Sequence, residues 1–193
     1  MTTLVVVRKN GKIAIAADTL TKWGSAKESA DYIANHEKIF QIGSSYLAIT
    51  GTTTFKLILT EYFAQLDTPP RFDSVQSIFR TWQELHVAMK ERYFLLATED
   101  KEDDLETSRM HVLIANPHGI FGVGAHRSVQ EFSKFYSYGA GSEYATGALF
   151  ASYENPKLDA HALAQLGVRC AIEFDDSTGG PITSYVLRET KAK

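Results

Sequence analysis

The chain opens on two apolar blocks separated by one polar break. Positions 4–7 are apolar, Arg8-Lys9-Asn10-Gly11-Lys12 are polar, and positions 13–17 are apolar again. Apolar runs on either side of an Asn-Gly pair predict two strands joined by a tight type I′ turn. The period then fades, and residues 19–37 predict a long loop with one short strand. Positions 38–42 and 46–49 read as a second hairpin around Gly43-Ser44-Ser45. Phe55, Leu59, Phe63 and Leu66 recur at helical spacing, with Thr52 or Thr53 as N-cap and Pro69-Pro70 as the stop. Ser74 caps a second helix over 75–93, whose apolar face is Val75, Phe79, Trp82, Leu85, Met89 and Tyr93.

Further along, residues 110–115 form a strand. Asn116-Pro117-His118-Gly119 is a turn, and 120–123 return. A strand at 135–138 runs into Gly139-Ala140-Gly141-Ser142, which opens a helix. Residues 158–172 form another amphipathic helix, and Gly179-Gly180 precede a final strand over 182–187. The expected order is four strands, two helices, three strands, two helices and one strand, with no internal repeat. Two sheets with helices on both outer faces bury every apolar face in this order. The expected fold is therefore α+β, a four-layer αββα sandwich in a single domain over residues 1–193.

Composition acts mainly by exclusion. A net charge of −3 argues against a nucleic-acid or anionic-membrane surface. No basic segment precedes a long apolar run, so no signal peptide is expected, and no apolar stretch reaches the roughly 18 residues of a membrane span. Cys170 is the only cysteine, so an internal disulfide is ruled out, and its helical surroundings predict a small buried hydrophobe. These features predict a cytoplasmic protein. The acidic run Glu99, Asp100, Glu102, Asp103, Asp104 and Glu106 predicts a solvated loop.

Candidate chemistry narrows in the same way. The six histidines show no metal-ligand spacing, so no metal site is expected. No Gly-x-Ser-x-Gly elbow exists. Gly139-Ala140-Gly141-Ser142-Glu143-Tyr144 sits between strand and helix as a dinucleotide loop would. Tyr144, however, takes the third glycine position, and no later strand brings a ribose-binding acid; nucleotide binding stays as an alternative.

The N-terminus carries a different chemistry. Thr2 directly precedes a strand, which holds it in place. Once Met1 is removed, Thr2 has a hydroxyl nucleophile and a basic α-amine on one residue. With Lys9 opposite Lys12, Asp18 falls opposite Thr3, beside Thr2. Lys38 opens the next hairpin and can approach the same edge. A buried Asp–Lys pair there would place a cation near the hydroxyl and lower the cost of ionising it. Taken singly, a strand-ending Asp18 and a solvated Lys38 explain these residues equally well.

Together they resemble a known family. Residues 1–18, Met-Thr-Thr-Leu-Val-Val-Val-Arg-Lys-Asn-Gly-Lys-Ile-Ala-Ile-Ala-Ala-Asp, are similar to the start of a proteasome β-type subunit or of its bacterial relative HslV. The resemblance extends to the whole element order. It implies that Thr2 is the nucleophile, Asp18 the catalytic aspartate and Lys38 the catalytic lysine. It implies that Gly51 donates its N–H to the oxyanion, and that Ser142 stands near the nucleophile's amine. Asp175 and Thr178, in Asp-Asp-Ser-Thr-Gly-Gly, match the Asp-x-x-Ser-Gly-Gly segment of proteasome β subunits. Thr21, His36, Ile49 and Thr53 fall where the family lines its primary specificity pocket, and Ile49 implies apolar side chains there. The stretch between Asp18 and Lys38 is about four residues longer than is usual, and Glu37 stands where the family has a first lysine.

With only Met1 ahead of Thr2 the resemblance leans toward HslV; the Asp-x-x-hydroxyl-Gly-Gly segment leans toward the proteasome. A bacterial proteasome homologue lies between them. The resemblance implies a threonine endopeptidase without cofactor, assembled from identical subunits in stacked rings of six or seven, seven being favoured. Its substrates would be polypeptides, and an ATP-dependent unfoldase is a partner it leaves open. Two other readings remain at this stage: a ring-forming shell without activity, and an N-terminal nucleophile amidase acting on small substrates.

Overall fold

The computed structural model describes residues 2–96 and 104–190. Met1 and the acidic residues Glu99, Asp100, Glu102 and Asp103 lie outside the described residues. The elements are β1 (Thr3–Lys9), β2 (Lys12–Ala17), β3 (Thr21–Trp23), β4 (Ala26–Glu28), β5 (Ile39–Ile42), β6 (Ser45–Ile49), α1 (Thr53–Ala64), α2 (Val75–Glu91), β7 (Val112–Asn116), β8 (Gly119–Val123), β9 (Val129–Phe132), β10 (Phe135–Gly139), α3 (Ser142–Ser152), α4 (Ala160–Phe174) and β11 (Thr183–Arg188). The chain is thus a mixed α/β protein.

The first hairpin forms as its pattern dictates. Lys9 pairs with Lys12, and Asn10 and Gly11 both adopt positive φ, at 52° and 72°, as a type I′ turn requires. Strands β10 and β11 add to its two edges, giving an antiparallel sheet in the order β10-β1-β2-β11. A second sheet runs β5-β6-β7-β8-β9, and β3 with β4 makes a separate two-stranded hairpin.

Three apolar clusters join these elements. Val5, Val7, Ala14 and Ala16 pack on residues of α3 and α4. Leu4, Val6, Ile13 and Ile15 meet Ala48, Leu113 and Ile120 of the second sheet. The opposite face of that sheet, with Leu47, Ile114 and Phe121, meets α1 and α2. Alternate residues of β1 therefore enter different clusters, which is why its sequence is apolar without alternation: both faces are covered.

Several expectations are corrected. Residues 19–37 contain a hairpin, not one strand; β3 and β4 are too short and too polar to show a period. The sequence pattern does not mark strand β9, because Val-Gln-Glu-Phe is a short, polar edge strand. Helix α1 ends at Ala64, so Leu66 lies beyond it; Thr52 is its N-cap but makes no side-chain cap bond. In α2, Ile78 rather than Phe79 joins Trp82, Leu85 and Met89 in the core, and Tyr93 lies past the helix. Trp82 is buried against Phe63 in a tilted contact and Phe72 in an edge-on one, so the indole is not available to a neighbouring subunit. Cys170 is only half-buried. Glu106 lies in the loop with its side chain a third exposed, and it accepts from His86 and Lys90.

Candidate active site

Thr2 sits just ahead of β1, and its backbone is clamped by the chain returning from β10. Thr3 pairs with Gly139, and the Ala140 N–H donates to the Thr2 carbonyl at 2.8 Å. Gly139 has φ +106°, and a Cβ placed there would stand 1.9 Å from the Thr2 carbonyl oxygen. Only glycine lets the chain pass this close. Thr2 itself is 5% exposed.

Asp18 lies one residue past β2, opposite Thr3 as the register requires. The Thr3 N–H donates to its Oδ1 at 2.8 Å, and the N–H groups of Leu20 and Gly179 donate to Oδ2, both at 3.2 Å. Lys38 Nζ completes the set, donating to Oδ1 at 2.8 Å and to the Leu20 carbonyl at 2.7 Å. The Asp18 side chain is fully buried and that of Lys38 is 11% exposed. Burial raises the Asp18 carboxyl above its ordinary value, against the pull of Lys38 and the backbone donors. Burial likewise lowers Lys38, against the pull of Asp18. The lysine ammonium is therefore easier to deprotonate than a solvated one.

Asp175 and Thr178 reach the N-terminus through Thr3. The Thr3 and Thr178 hydroxyls are 2.7 Å apart, and the Gly141 N–H donates to Thr3 Oγ1 at 3.1 Å. Thr178 and Ser177 donate in turn to the Asp175 carboxylate. Burial works to raise Asp175, but these hydrogen bonds outweigh it and leave the group below the ordinary carboxylate range. Alternation explains the division. Thr3 shares its face of β1 with Val5 and Val7, toward α3 and α4, while Thr2 falls on the other parity.

Two cavities meet at Thr2. One, of about 420 Å³, is lined by all four expected pocket residues, Thr21, His36, Ile49 and Thr53, and also by Trp23 and Leu57. The other, of about 560 Å³, is lined by Phe55, Arg109, Gly139 and Ala140 among others. Thr2 and Gly51 line both. Gly51 has φ +115°, and its N–H has no partner among the described residues. Ser142, half-buried at the first turn of α3, is not among the residues lining either cavity, and the Ala140 N–H lies against the Thr2 carbonyl. Sequence reading missed Thr3, Gly139 and Ala140. A strand-end glycine before a helix signalled a turn, but not what the turn passes. Among the described residues, no group of three or more His, Cys, Asp or Glu side chains could hold a metal ion, and no helix is long and apolar enough to cross a membrane.

A solved structure of BPH, a bacterial proteasome homologue from Thiobacillus denitrificans, is 63% identical to this chain, with TM-score 0.95, covering 98% of it and 100% of the BPH chain. The chain belongs to the bacterial proteasome homologues. A second structure of the Thiobacillus homologue, in complex with Epoxomicin, is 62% identical, with TM-score 0.92, over 97% of this chain and 99% of that one. The eukaryotic HslV of Trypanosoma brucei is 18% identical with TM-score 0.65, over 97% of this chain and 99% of its own; that likeness is one of fold. No protein-family model matches this homologue, and no curated protein does.

Proposed function

We propose that the chain is a threonine-type endopeptidase subunit, with Thr2 as the nucleophile after removal of Met1. The observation that carries this reading is the buried Asp18–Lys38 pair at the strand end beside Thr2. An ion pair out of water is a costly way to stabilise a fold, so its position at the rim of a cavity points to chemistry. The three apolar clusters in series support the αββα sandwich of an N-terminal nucleophile hydrolase.

The α-amine of Thr2 takes the Oγ proton as Oγ attacks a peptide carbonyl carbon. Lys38, held by Asp18, favours the ionised oxygen. The Gly51 N–H receives the oxyanion; a single such donor is worth about 3 kcal/mol. The C–N bond breaks as the amine returns its proton to the leaving nitrogen, and Thr2 is left as an ester. Water, deprotonated by the same amine, hydrolyses that ester. Asp175 and Thr178 fix Thr3 and, through it, the backbone that presents Thr2. Thr21, His36, Ile49 and Thr53 receive the side chain on the acyl side. Ser142, two residues past the Ala140 that bonds the Thr2 carbonyl, supports the Thr2 amine. We further propose a cytoplasmic assembly of identical subunits in stacked rings, sevenfold by the Asp175–Gly180 pattern, with an ATP-dependent unfoldase left open as a partner.

One structure of the Thiobacillus homologue is a complex with Epoxomicin. Thr2→Ala is expected to abolish both peptide hydrolysis and epoxyketone labelling while the protein stays folded. Thr2→Ser keeps hydroxyl and amine and is expected to retain part of the activity. Undiminished cleavage by Thr2→Ala would move the chemistry elsewhere. A wild type with a free Thr2 amine that neither cleaves nor labels would favour an inert shell.

A further inference from the structure

We infer that Arg109 reads a carboxylate on the leaving-group side of the scissile bond, so that this protein prefers substrates carrying an acid just after the cleavage point. The inference rests on the threonine peptidase reading above. Because Thr2 and Gly51 line both cavities, a bound peptide crosses from one to the other at the reacting carbonyl. The cavity with Thr21 and Ile49 takes the acyl side. The second cavity then takes the leaving side.

The two cavities differ in their charges. Lysines border the first, but each is engaged: Lys22 with Asp176, Lys38 with Asp18, and Lys56 with the Glu37 carbonyl. In the second, Arg109 is the one charged residue among those lining the cavity. Its guanidinium bonds to none of the described residues, and the residue is exposed. Its mounting is nevertheless rigid. Arg109 has φ 55°, a left-handed conformation that a non-glycine residue keeps only when its surroundings impose it. They do so here on both sides. Ser108 is buried, its N–H donating to the Ala125 carbonyl at 2.7 Å and its hydroxyl meeting His86 at 2.9 Å. Beyond it, the His111 N–H donates to Thr50 Oγ1, and the Thr50 N–H returns to the His111 carbonyl. The Arg109 carbonyl lies 3.2 Å from where a Cβ on Gly51 would stand, so the two backbones are in contact. A fixed backbone thus places Arg109, whose guanidinium has no partner among the described residues, at the wall of the leaving-side cavity. Its planar fork suits a carboxylate better than any neutral group. That carboxylate is either an Asp or Glu side chain or the C-terminus of the substrate itself.

The test uses internally quenched peptides with a common acyl half. They vary as Glu, Gln or Lys at the first and second residues after the scissile bond, each with a free or an amidated C-terminus. The wild type is expected to favour Glu over Gln by about tenfold in kcat/KM, the scale of one charge-assisted hydrogen bond in a partly exposed site. A preference following the side chain or following the free terminus identifies the source of the carboxylate. Arg109→Gln is expected to erase the preference and Arg109→Glu to turn it toward Lys. Both are read as ratios within one preparation and do not depend on the folded fraction. Should neither variant fold, 0.5 M salt is expected to erode the wild-type preference, since screening shortens its range. Equal turnover of Glu and Gln peptides together with equal turnover of free and amidated termini, or a preference that survives in Arg109→Gln or in salt, overturns the role of Arg109 and leaves the peptidase reading intact. Failure of the wild type to cleave any of the peptides overturns both.

Discussion

At the residue scale, Asp18 and Lys38 form a unit in which neither is tolerable alone. Four donors converge on the Asp18 carboxylate, and only one of them is charged. Lys38→Ala removes that charge and leaves a buried carboxylate uncompensated. The expected loss is about 3–5 kcal/mol of stability, together with most of the activity. The double variant Asp18→Asn/Lys38→Met is expected to recover much of that stability and none of the activity. Denaturant titration beside peptide turnover checks both. Gly139 offers a second test. Gly139→Ala must push the Thr2 carbonyl away, and an ångström of misplacement at a nucleophile costs about a hundredfold in rate. A Gly139→Ala enzyme with unchanged kcat would show that the clamp on Thr2 does not set its position.

At the scale of elements, α2 is the one with the clearest internal supports. Ser74 and Ser77 form a reciprocal capping box, and Ser74→Ala is expected to lower stability by about 1 kcal/mol in thermal or chemical unfolding. Toward its other end, α2 is tied to the segment that carries Arg109. His86 bonds Ser108 and Glu106, Lys90 bonds Glu106, and Arg127 joins Gln83 to the Glu106 carbonyl. Burial lowers the His86 pKa, with Arg127 and Lys90 acting in the same direction and Glu106 opposing. Below about pH 6.5, the unfolded histidine binds a proton that the folded one resists. Stability should therefore fall as pH drops from about 6.5, above the acidic window in which Glu106 would lose its own partners. His86→Gln should flatten that part of the pH–stability curve; an identical slope in the variant would contradict the assignment.

At the scale of the whole molecule, the proposed assembly and processing are read together. Intact mass is expected to show Thr2 as the mature first residue, and analytical ultracentrifugation a particle of many subunits. A monomer at micromolar concentration would contradict both the ring peptidase and the inert shell, and would favour an amidase for small substrates. The α2 face bearing Trp82 cannot supply the contacts of such a particle, since its aromatic partners lie within the chain.

The sequence alone determined what local chemistry determines. The Asn10-Gly11 turn fixed the register of the first hairpin, and the register placed Asp18 opposite Thr3. Long apolar periods marked α1, α2, α4 and most strands, because burial of one face imposes a period. Short polar elements left no such mark, and β3, β4 and β9 emerged only with their partners in place. The tertiary structure alone decided the rest of the site. Lys38 reaches Asp18 because β5 and β2 belong to packed sheets, a proximity across 20 residues that no spacing encodes. Thr178 reaches Thr3 across 175 residues by the same kind of packing. The Ala140 N–H meets the Thr2 carbonyl because the pairing of β10 with β1 ends at Gly139. Arg109 looked like an ordinary loop residue in the sequence; only its left-handed backbone, packed on Gly51, brings it to the cavity.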